Sequence, residues 1–427
     1  MRIMFVSNLY GDLARGGAER VVAQEAGALA AAGHDVVVVS GEPKREIPKG
    51  VCLPAEPWLC PPAGGPGDVA AAYAAAVSRA KMPGVPRTIR YHAPNFYFYP
   101  EGGKHGYATR LLWHLRDIFN DASAATLRRI IELERPDVVH THNLMGLGFR
   151  IPAMLRRMRV LHVHTVHDVQ LLHPSGLLPP SGRVAGPARV PQAAYAALMR
   201  RMMGSPDVVF FPSEFLRDAH ARAGFFRGSR AEVLRNPTPD ISLAARAVPS
   251  SPTFLFAGQL EEHKGIRFLL DVWRRWDDRG AAILEIAGDG SLAEEVARTA
   301  ASLPGVTVLG KLDRDALFAA YARVAYLVYP SLVIENAPAA IMESLSRGTP
   351  VVAAATGGVP ELVTEGGTGF LFPPGDADAF LAKLRLAAAQ LNPPNWISFY
   401  ERCMRAAQGT SISKHAERLM EAYRAQS

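Results

Sequence analysis

The sequence predicts an α/β protein built from two doubly wound parallel sheets. Short runs of continuous apolar residues recur along the chain, and alanine-rich stretches of helical length separate them. Buried strands that alternate with helices are typical of parallel sheets. The polar, proline-rich stretch 234–252 interrupts this alternation once. Such composition is typical of a linker and divides the chain into two halves.

Each half contains five predicted strands. Those of the first half are Ile3–Ser7, Val36–Ser40, Asp137–His140, Val160–His164 and Val208–Pro212. Those of the second half are Thr253–Ala257, Ile283–Ala287, Val306–Leu309, Ala325–Tyr329 and Pro350–Ala354. A helix is predicted over Ala18–Ala32, and two helical patterns in the tail end near Tyr423. The predicted domains are residues 1–238 and 250–407.

Composition limits the classes of protein that fit this chain. It has 427 residues, 48% of them hydrophobic, and no stretch approaches the roughly 20 apolar residues that span a bilayer. The apolar run at the start is too short for a signal peptide and is interpreted as a first strand. Cys52, Cys60 and Cys403 form neither a metal spacing nor a disulfide framework. A reducing, cytoplasmic location is expected.

The net charge of +7 comes from an excess of basic residues in the first 250 positions. Arginines stand beside leucine or methionine in segments 156–159 and 198–203. This pattern suits an anionic membrane surface on the inner face of the cell membrane, and equally an amphipathic helix packed on a sheet. Nucleic acid is not an expected partner, because no module that binds it is recognisable.

Glu335 and Glu343 form the most informative pair of side chains. Glu335 lies in a loop after a predicted strand, and Glu343 lies on the helix that follows, which is predicted to contain Pro338 in its first turn and to stop at Gly348. Eight helical residues span roughly 12 Å. Free N–H groups at the helix start offer an anion site between the carboxylates. Two hydroxyl-binding carboxylates around an anion site match a nucleotide sugar, although solvated helix-end charges show the same spacing.

Two glycine-containing turns after strands carry further candidate groups. Gly16 and Gly17 open the first helix, where a backbone without side chains can approach a diphosphate. Lys264, before Gly265, lies in a strand-to-helix loop and suits a leaving diphosphate as counterion. Taken alone, each is equally compatible with an ordinary turn and a solvated lysine.

A third glycine pattern raises a different function. Gly288 and Gly290 begin a Gly-x-Gly-x-x-Ala sequence after a strand, as in nicotinamide dehydrogenases. That class requires an acidic residue at the end of the next strand. The next strand ends in Gly310-Lys311 instead, which argues against a dehydrogenase.

Six histidines follow two strands of the first half: His140, His142, His162, His164, His167 and His173. Alternate residues on a strand share a face, so a His-x-His pair could supply two zinc ligands. No cysteine and few carboxylates complete a ligand set, and no metal is expected. Packing at the strand ends is the favoured interpretation for His140, His142, His162 and His164.

The run from Pro330 to Phe372 resembles the signature of the retaining glycosyltransferases of bacterial family 4 (group 1), which have the GT-B fold. The resemblance extends to Gly16–Glu19, Thr165–Asp168 and Phe256–Asp376. It implies two Rossmann-like domains that face a central cleft, with a C-terminal helix at about 408–427 that crosses back to the first domain. The co-substrate is then a nucleoside-diphosphate sugar, and no metal cofactor is required.

The resemblance also assigns roles to residues. Glu335 would bind donor-ring hydroxyls, Glu343 the ribose hydroxyls, and Lys264 the departing diphosphate. His167 would contact the donor sugar at the reacting centre, and Asp168 would orient it or hold the acceptor hydroxyl. The other donor-binding positions are Gly16, Gly17, Gln259, Gly288, Gly290, Leu312, Asn336, Ala337 and Ala339. Gln259 replaces the family's usual arginine, so the second cation of the phosphate clamp is missing there.

The acceptor side is less defined. Tyr97 and Tyr99 belong to an aromatic stretch, Tyr91–Pro100, that suits sugar or lipid stacking and also a small core under a loop. With Asp168 and His142 they form the predicted acceptor side. Asp313-Arg314-Asp315 and Asp376-Ala377-Asp378 resemble a metal motif but fall at helix starts, where aspartate is a good cap.

The predicted function is transfer of a hexose-type sugar from a nucleoside-diphosphate sugar to a hydroxyl acceptor, with retention. A lipid-linked or surface-polysaccharide intermediate is the expected acceptor. The alternatives are a GT-B-fold nucleotide-sugar epimerase, a glycoside phosphorylase, and a sugar-nucleotide-binding protein without catalysis.

Overall fold

Two parallel sheets form the protein. The computed structural model describes residues 1–14, 16–44, 83–176, 178, 189–240 and 247–425; Cys52 and Cys60 lie outside these ranges. The first sheet has seven strands in the order β3-β2-β1-β4-β5-β6-β7, and the second has six in the order β10-β9-β8-β11-β12-β13. Both contain only parallel strand pairs in the described residues. Two doubly wound sheets are the predicted architecture.

The strands of the first sheet are β1 Arg2–Ser7, β2 Asp35–Gly41, β3 Arg87–Tyr91, β4 Val138–Thr141, β5 Leu161–Thr165, β6 Val208–Phe211 and β7 Arg230–Val233. Its helices are α1 Gly17–Ala31, α2 Tyr107–Ile118, α3 Asp121–Glu134, α4 Ile151–Met158, α5 Arg189–Met203 and α6 Glu214–Arg222. The five predicted strands are present within a few residues. β3 and β7, both at sheet edges, were not predicted.

The strands of the second sheet are β8 Thr253–Ala257, β9 Ile283–Ala287, β10 Val306–Gly310, β11 Tyr326–Tyr329, β12 Val351–Ala354 and β13 Gly369–Phe372. Its helices are α7 Ile266–Arg274, α8 Ala293–Ala301, α9 Arg314–Arg323, α10 Ala339–Leu345, α11 Val359–Leu362, α12 Ala377–Ala389 and α13 Pro393–Gln408. The unpredicted strand is again at an edge, β13. Asp313 and Asp376 accept hydrogen bonds from Ala316 N and Ala379 N, as helix caps do.

The last helix, α14 Ile412–Arg424, packs on the first sheet. Leu419 and Tyr423 belong to the same buried cluster as Val22 and Leu29 of α1. The Tyr423 hydroxyl lies 2.7 Å from His140 Nδ1. Helix α14 is therefore hydrogen-bonded to β4 through Tyr423 and His140.

The basic segments of the first half are partly core. Met199 and Met203 of α5 are fully buried, and Met202 is 7% exposed. Arg156 donates to the Met203 carbonyl. Of the two interpretations of these segments, the structure favours an amphipathic helix packed on its sheet. Among the described residues, no helix is both long enough and apolar enough to cross a bilayer.

Candidate active site between the two sheets

Glu335 is held by a lysine from the neighbouring loop. Its Oε1 accepts from Lys264 Nζ at 2.7 Å and from the Ser331 hydroxyl at 2.8 Å. Glu335 keeps 12% of its side chain exposed and Lys264 23%. The pair is largely desolvated yet open to a ligand, so an incoming anion can compete with Glu335 for the ammonium group.

The local backbone fixes this pair. Gly265 has φ +76°, and a Cβ there would lie 2.0 Å from the Pro330 carbonyl oxygen. A Cβ on Gly358 would lie 1.9 Å from the Asn336 carbonyl oxygen. Only glycine allows these close approaches, which press the lysine loop and the turn after β12 against the loop of Glu335.

Glu343 lies on α10 and faces a cation from the other half of the protein. Its Oε1 is 3.4 Å from Arg20 Nη1, and its Oε2 accepts from the Tyr321 hydroxyl at 3.4 Å. Burial raises the pKa of Glu343, and the nearby guanidinium of Arg20 opposes this shift. The predicted helix bounds were slightly wrong: α10 begins at Ala339, after Pro338, and ends at Leu345.

Contacts across the cleft bring the two halves together. Asn336 Nδ2 donates to the His167 carbonyl at 3.2 Å, and Asn236 Nδ2 donates to the Ala337 carbonyl at 3.0 Å. The carboxylate of Glu361 on α11 accepts from the backbone N–H groups of Glu214 and Phe215 at 2.8 and 2.7 Å. The predicted donor-binding residues Asn336 and Ala337 therefore lie beside the first half, next to His167.

The glycine turn of the first half presents α1 to the same cleft. Gly17 is the exposed first residue of α1, and Gly16 N donates to Glu19 Oε2 at 2.8 Å in a capping box. Arg20, one residue further on, is the side chain that reaches Glu343. This arrangement supplies a cation from the first half to the side of the cleft that holds Glu343.

The remaining predicted donor-binding residues follow the ends of three adjacent strands. Gln259 is exposed after β8, Gly288 and Gly290 follow β9, and half-buried Leu312 follows β10. A Cβ on Gly288 would lie 1.8 Å from the Gly258 carbonyl oxygen. The turn that contains Gly288 and Gly290 is thus packed directly on the loop that carries Gln259.

His167 and Asp168 follow β5 and are half-buried. Burial lowers the pKa of His167 to about 4, so this imidazole is neutral at neutral pH. Burial raises the pKa of Asp168 to about 6, with Glu19 adding to the shift, although Asp168 Oδ1 accepts from Gln170 N at 2.7 Å. A neutral imidazole and a carboxyl that titrates near pH 6 are groups suited to proton handling.

The other strand-end histidines are engaged inside the first half. His140 contacts the Tyr423 and Thr165 hydroxyls, while His162 and His164 both contact the Thr141 hydroxyl. His142 is the exception, because its Nδ1 lies 2.8 Å from His167 Nε2. Packing thus accounts for three of the four, and His142 belongs to the site.

One group of side chains could be mistaken for a metal site. Ligand atoms of Glu25, His140 and His142 lie within 4.8 Å of one another. Both ring nitrogens of His140 already make hydrogen bonds of 2.7 and 2.8 Å. The donor set therefore does not fit a metal without breaking these bonds.

The predicted acceptor-side tyrosines pack around Trp113. Tyr97 stacks on His105 and Trp113, and its carbonyl accepts from Trp113 Nε1 at 2.8 Å. Tyr99 is tilted against the same indole. Burial raises the pKa of Tyr99, and the carboxylates of Asp168 and Glu19 add to this shift. Both tyrosines pack against the large hydrophobic core of the first half, to which Trp113 belongs.

Sequence reasoning missed three polar groups of the site: Arg20, Glu25 and Ser331. Glu25 had a detectable signal, because an acid on the apolar face of α1, between Val22 and Leu29, must be buried with a partner. Arg20 and Ser331 had none, since their partners lie in distant segments.

Two family descriptions together match most of the chain. "Glycosyl transferase 4-like domain" matches residues 16–237, and "Glycosyl transferases group 1" matches residues 251–389. The chain belongs to the group 1 (family 4) glycosyltransferases. This family consists of retaining hexosyltransferases, and the resemblance seen in the sequence is confirmed.

Two relatives of this chain are 24% and 34% identical to it. An uncharacterized 42.6 kDa protein in the cps region of Klebsiella pneumoniae is 24% identical over 62% of this chain and 63% of its own length. The sulfoquinovosyl transferase SQD2 of Arabidopsis thaliana is 34% identical over 32% of this chain and 26% of its own. This chain therefore spans less than two thirds of the length of each of these two relatives.

The chain is also similar to a third relative and to two solved structures. The GDP-mannose-dependent alpha-(1-6)-phosphatidylinositol monomannoside mannosyltransferase of Mycobacterium tuberculosis is 27% identical over 61% of this chain and 74% of its own. Sucrose-phosphate synthase from Thermosynechococcus elongatus aligns with a TM-score of 0.71, at 19% identity over 100% and 99% of the two chains. Anabaena HepE in complex with UDP-glucose aligns with a TM-score of 0.64, at 16% identity over 100% of both. These structures confirm the GT-B fold.

Proposed function

We propose that this glycosyltransferase moves a hexose from a nucleoside-diphosphate sugar to a hydroxyl acceptor with retention. The observation that carries the proposal is the pair of cleft carboxylates, each held by a cation: Glu335 by Lys264, and Glu343 by Arg20 from the opposite half. Donor binding would exchange these ion pairs for phosphate contacts. The carboxylates are then released toward sugar and ribose hydroxyls.

The chemistry uses groups that are already in place. The bond between the anomeric carbon and the diphosphate breaks while the acceptor oxygen bonds to the same face of that carbon. The acceptor proton passes to the departing diphosphate oxygen, and Lys264 neutralises the diphosphate. Glu335 stabilises the positive charge on the ring in the transition state. His167 contacts the sugar and Asp168 holds the acceptor hydroxyl. Lys264 and Arg20 take the part that a metal ion plays in other glycosyltransferases.

A donor screen with an isosteric variant tests this proposal. Wild type and Glu335→Gln are assayed for binding and hydrolysis of UDP-, GDP- and ADP-sugars. The variant is expected to bind the same donor as the wild type and to lose turnover. Retained turnover would remove Glu335 from the mechanism, and donor binding without turnover in the wild type, with every acceptor offered, would favour a sugar-nucleotide sensor. Glu365→Gln, which removes an exposed carboxylate paired with Lys383, serves as the control.

The acceptor is proposed to be a lipid-linked or surface-polysaccharide intermediate at an anionic membrane surface. The names of the Klebsiella and mycobacterial relatives support this choice. So does helix α2, where Tyr107 and Leu112 expose 83% and 54% of their surface beside exposed Arg110 and Arg116. Exposed apolar side chains flanked by arginines are typical of helices that lie on anionic lipid.

Flotation with vesicles tests the membrane part separately. Wild type is expected to float with vesicles that contain anionic lipid, and Leu112→Ser is expected to float less. Leu386→Ser, which changes a leucine that is 39% exposed on α12 in the second half, is the matched control. Absence of flotation at moderate salt would contradict the membrane proposal and would leave the donor chemistry intact.

A further inference from the structure

A buried glutamate stands behind the site histidine. Glu25 of α1 is 1% exposed and His142 is fully buried. Glu25 Oε2 and His142 Nε2 lie 3.5 Å apart. In the described part of the chain, both atoms are buried and neither has another hydrogen-bond partner, so each can satisfy the other.

The second oxygen of Glu25 is anchored by the last helix. Glu25 Oε1 lies 2.8 Å from His415 Nε2, and His415 Nδ1 lies 3.0 Å from the Arg235 carbonyl. A carbonyl oxygen can only accept, so His415 Nδ1 carries a proton. One further proton is shared by His415 Nε2 and Glu25 Oε1. This buried pair fixes the orientation of the Glu25 carboxylate and directs Oε2 at His142.

Glu25 Oε2 is an acceptor, and this sets the direction of the hydrogen bonds from His142 to Glu25 and from His167 to His142. Burial lowers the pKa of His142 well below its ordinary range, and neighbouring histidines add to this effect, so the ring is neutral and has one N–H. Facing a carboxylate oxygen, that N–H is on Nε2. His142 Nδ1 then accepts, and at 2.8 Å the donor is His167 Nε2–H.

We propose that Glu25 and His142 are positioning residues that hold His167 as the Nε2–H tautomer, with Nδ1 unprotonated. In the described part of the chain, no residue is hydrogen-bonded to His167 Nδ1. This atom can therefore accept a hydrogen bond from a hydroxyl group of the donor sugar or the acceptor. The role of His167 at the reacting centre rests on the proposed function; its tautomer does not.

Ring-nitrogen NMR measures the tautomer directly. Protein labelled with ¹⁵N in the histidine rings is compared for wild type, Glu25→Leu, Glu25→Gln and His142→Asn, and His167→Gln assigns the signals. Wild type is expected to show a protonated Nε2 and an unprotonated Nδ1 for His167. Glu25→Leu is expected to show a mixture of tautomers. Glu25→Gln and His142→Asn retain an acceptor in the chain and are expected to keep the wild-type tautomer.

Kinetics provide a second readout. Glu25→Leu is expected to lower kcat by about 10- to 100-fold, the range typical when a partner that orients a metal-ligating histidine is removed. The KM for the donor is expected to change less than kcat, because Lys264 and Arg20 remain in place. His162→Gln changes an equally buried histidine that contacts Thr141 and is the control, expected to match wild type.

The outcomes separate the two proposals. An unchanged His167 tautomer in Glu25→Leu, or a protonated Nδ1 in wild type, overturns the positioning role. If Glu25→Leu does not fold, two other results can still overturn the positioning role. One is a protonated His167 Nδ1 in wild type, and the other is loss of the His167 Nε2–H tautomer in Glu25→Gln. Full turnover by His167→Gln would overturn the proposed role of His167, while the tautomer result would stand.

Discussion

The two halves of the protein share one architecture but differ in the side chains at the ends of their strands. The second half presents charged side chains at the cleft, with Lys264 and Glu335 23% and 12% exposed. The strand ends of the first half carry buried imidazoles instead, and His140, His142, His162 and His164 are all at most 4% exposed. Charged groups are costly to bury without partners, whereas burying a neutral imidazole costs much less. The charged side suits a diphosphate, and the neutral side suits hydroxyl groups.

The largest effect is expected from removing the charge of the donor side. Lys264→Met should lower kcat by about 10²- to 10³-fold, because the departing diphosphate loses its counterion. Lys383→Met removes a lysine of similar exposure, also paired with a glutamate, on α12 and should behave as wild type. Steady-state kinetics with the donor identified by the screen measures both. Equal rates in the two variants would mean that charge is not what distinguishes the second half.

Asp168 tests whether the first half, beside its neutral imidazoles, also contributes an ionised carboxylate to the reaction. Its pKa is raised to about 6 by burial, so kcat/KM of the wild type is expected to fall as the pH drops below about 6 and the carboxylate is protonated. Asp168→Asn should abolish this fall of kcat/KM at low pH. It should also lower the rate at pH 8 by about 100-fold. A pH–rate profile that is flat from pH 5 to 8 in wild type would contradict the assignment.

The same residue gives a stability prediction of opposite sign. A buried carboxyl with a raised pKa holds its proton more firmly when folded, so its ionisation destabilises the fold as the pH rises from about 4 through about 6. Asp168→Asn cannot ionise and should increase the free energy of unfolding at pH 8 by roughly 2 kcal/mol. Chemical denaturation at pH 4 and pH 8 tests this, with Asp378→Asn, an exposed aspartate, as the control.

Arg20 tests whether the first half also lends a charge to the donor. Arg20→Gln should raise the KM for the donor by about tenfold, as expected when one charge-assisted hydrogen bond is lost near solvent. Added salt should weaken donor binding more in wild type than in the variant. Arg128→Gln, which breaks an exposed pair with Glu132, is the control. An unchanged KM would mean that Arg20 lends no charge to the donor.

The smallest effect is expected from the contact that joins the halves. Glu361 accepts two N–H groups at the start of α6, and Glu361→Ala should cost about 1 kcal/mol, like the loss of a helix cap. Thermal unfolding measures this cost, and small-angle scattering measures whether the cleft opens. Unchanged unfolding and scattering would show that the remaining contacts between the halves suffice.

The strands that the sequence did not predict share one physical property. β3, β7 and β13 each lie at the edge of a sheet, where one side has no neighbouring strand. β7 is exposed or half-buried along its whole length, and β3 alternates buried residues with exposed or half-buried ones. Such segments lack the continuous apolar run that identifies a central strand. Central strands such as β1 and β11 were predicted within two residues.

The site residues also divide into those that local sequence patterns predict and those that they do not. Glu335, Lys264 and the glycine turns could be found from sequence, because each lies within a few residues of a strand end that fixes its direction. Arg20 opposite Glu343, and Glu25 behind His142, could not be paired, since their partners are 323 and 117 positions away. No local pattern specifies such a contact.

The sequence by itself determined the two α/β halves, the family and the carboxylate pair. Periodicity, turn glycines and strand-end motifs are local properties, and neighbouring residues in the chain are enough to express them. The tertiary structure decided which cation faces each carboxylate, and it placed the buried Glu25 and His415 behind the site histidine. Charges and imidazoles acquire their protonation from burial and from partners brought together by folding, so these properties exist only once the two sheets and the last helix have packed.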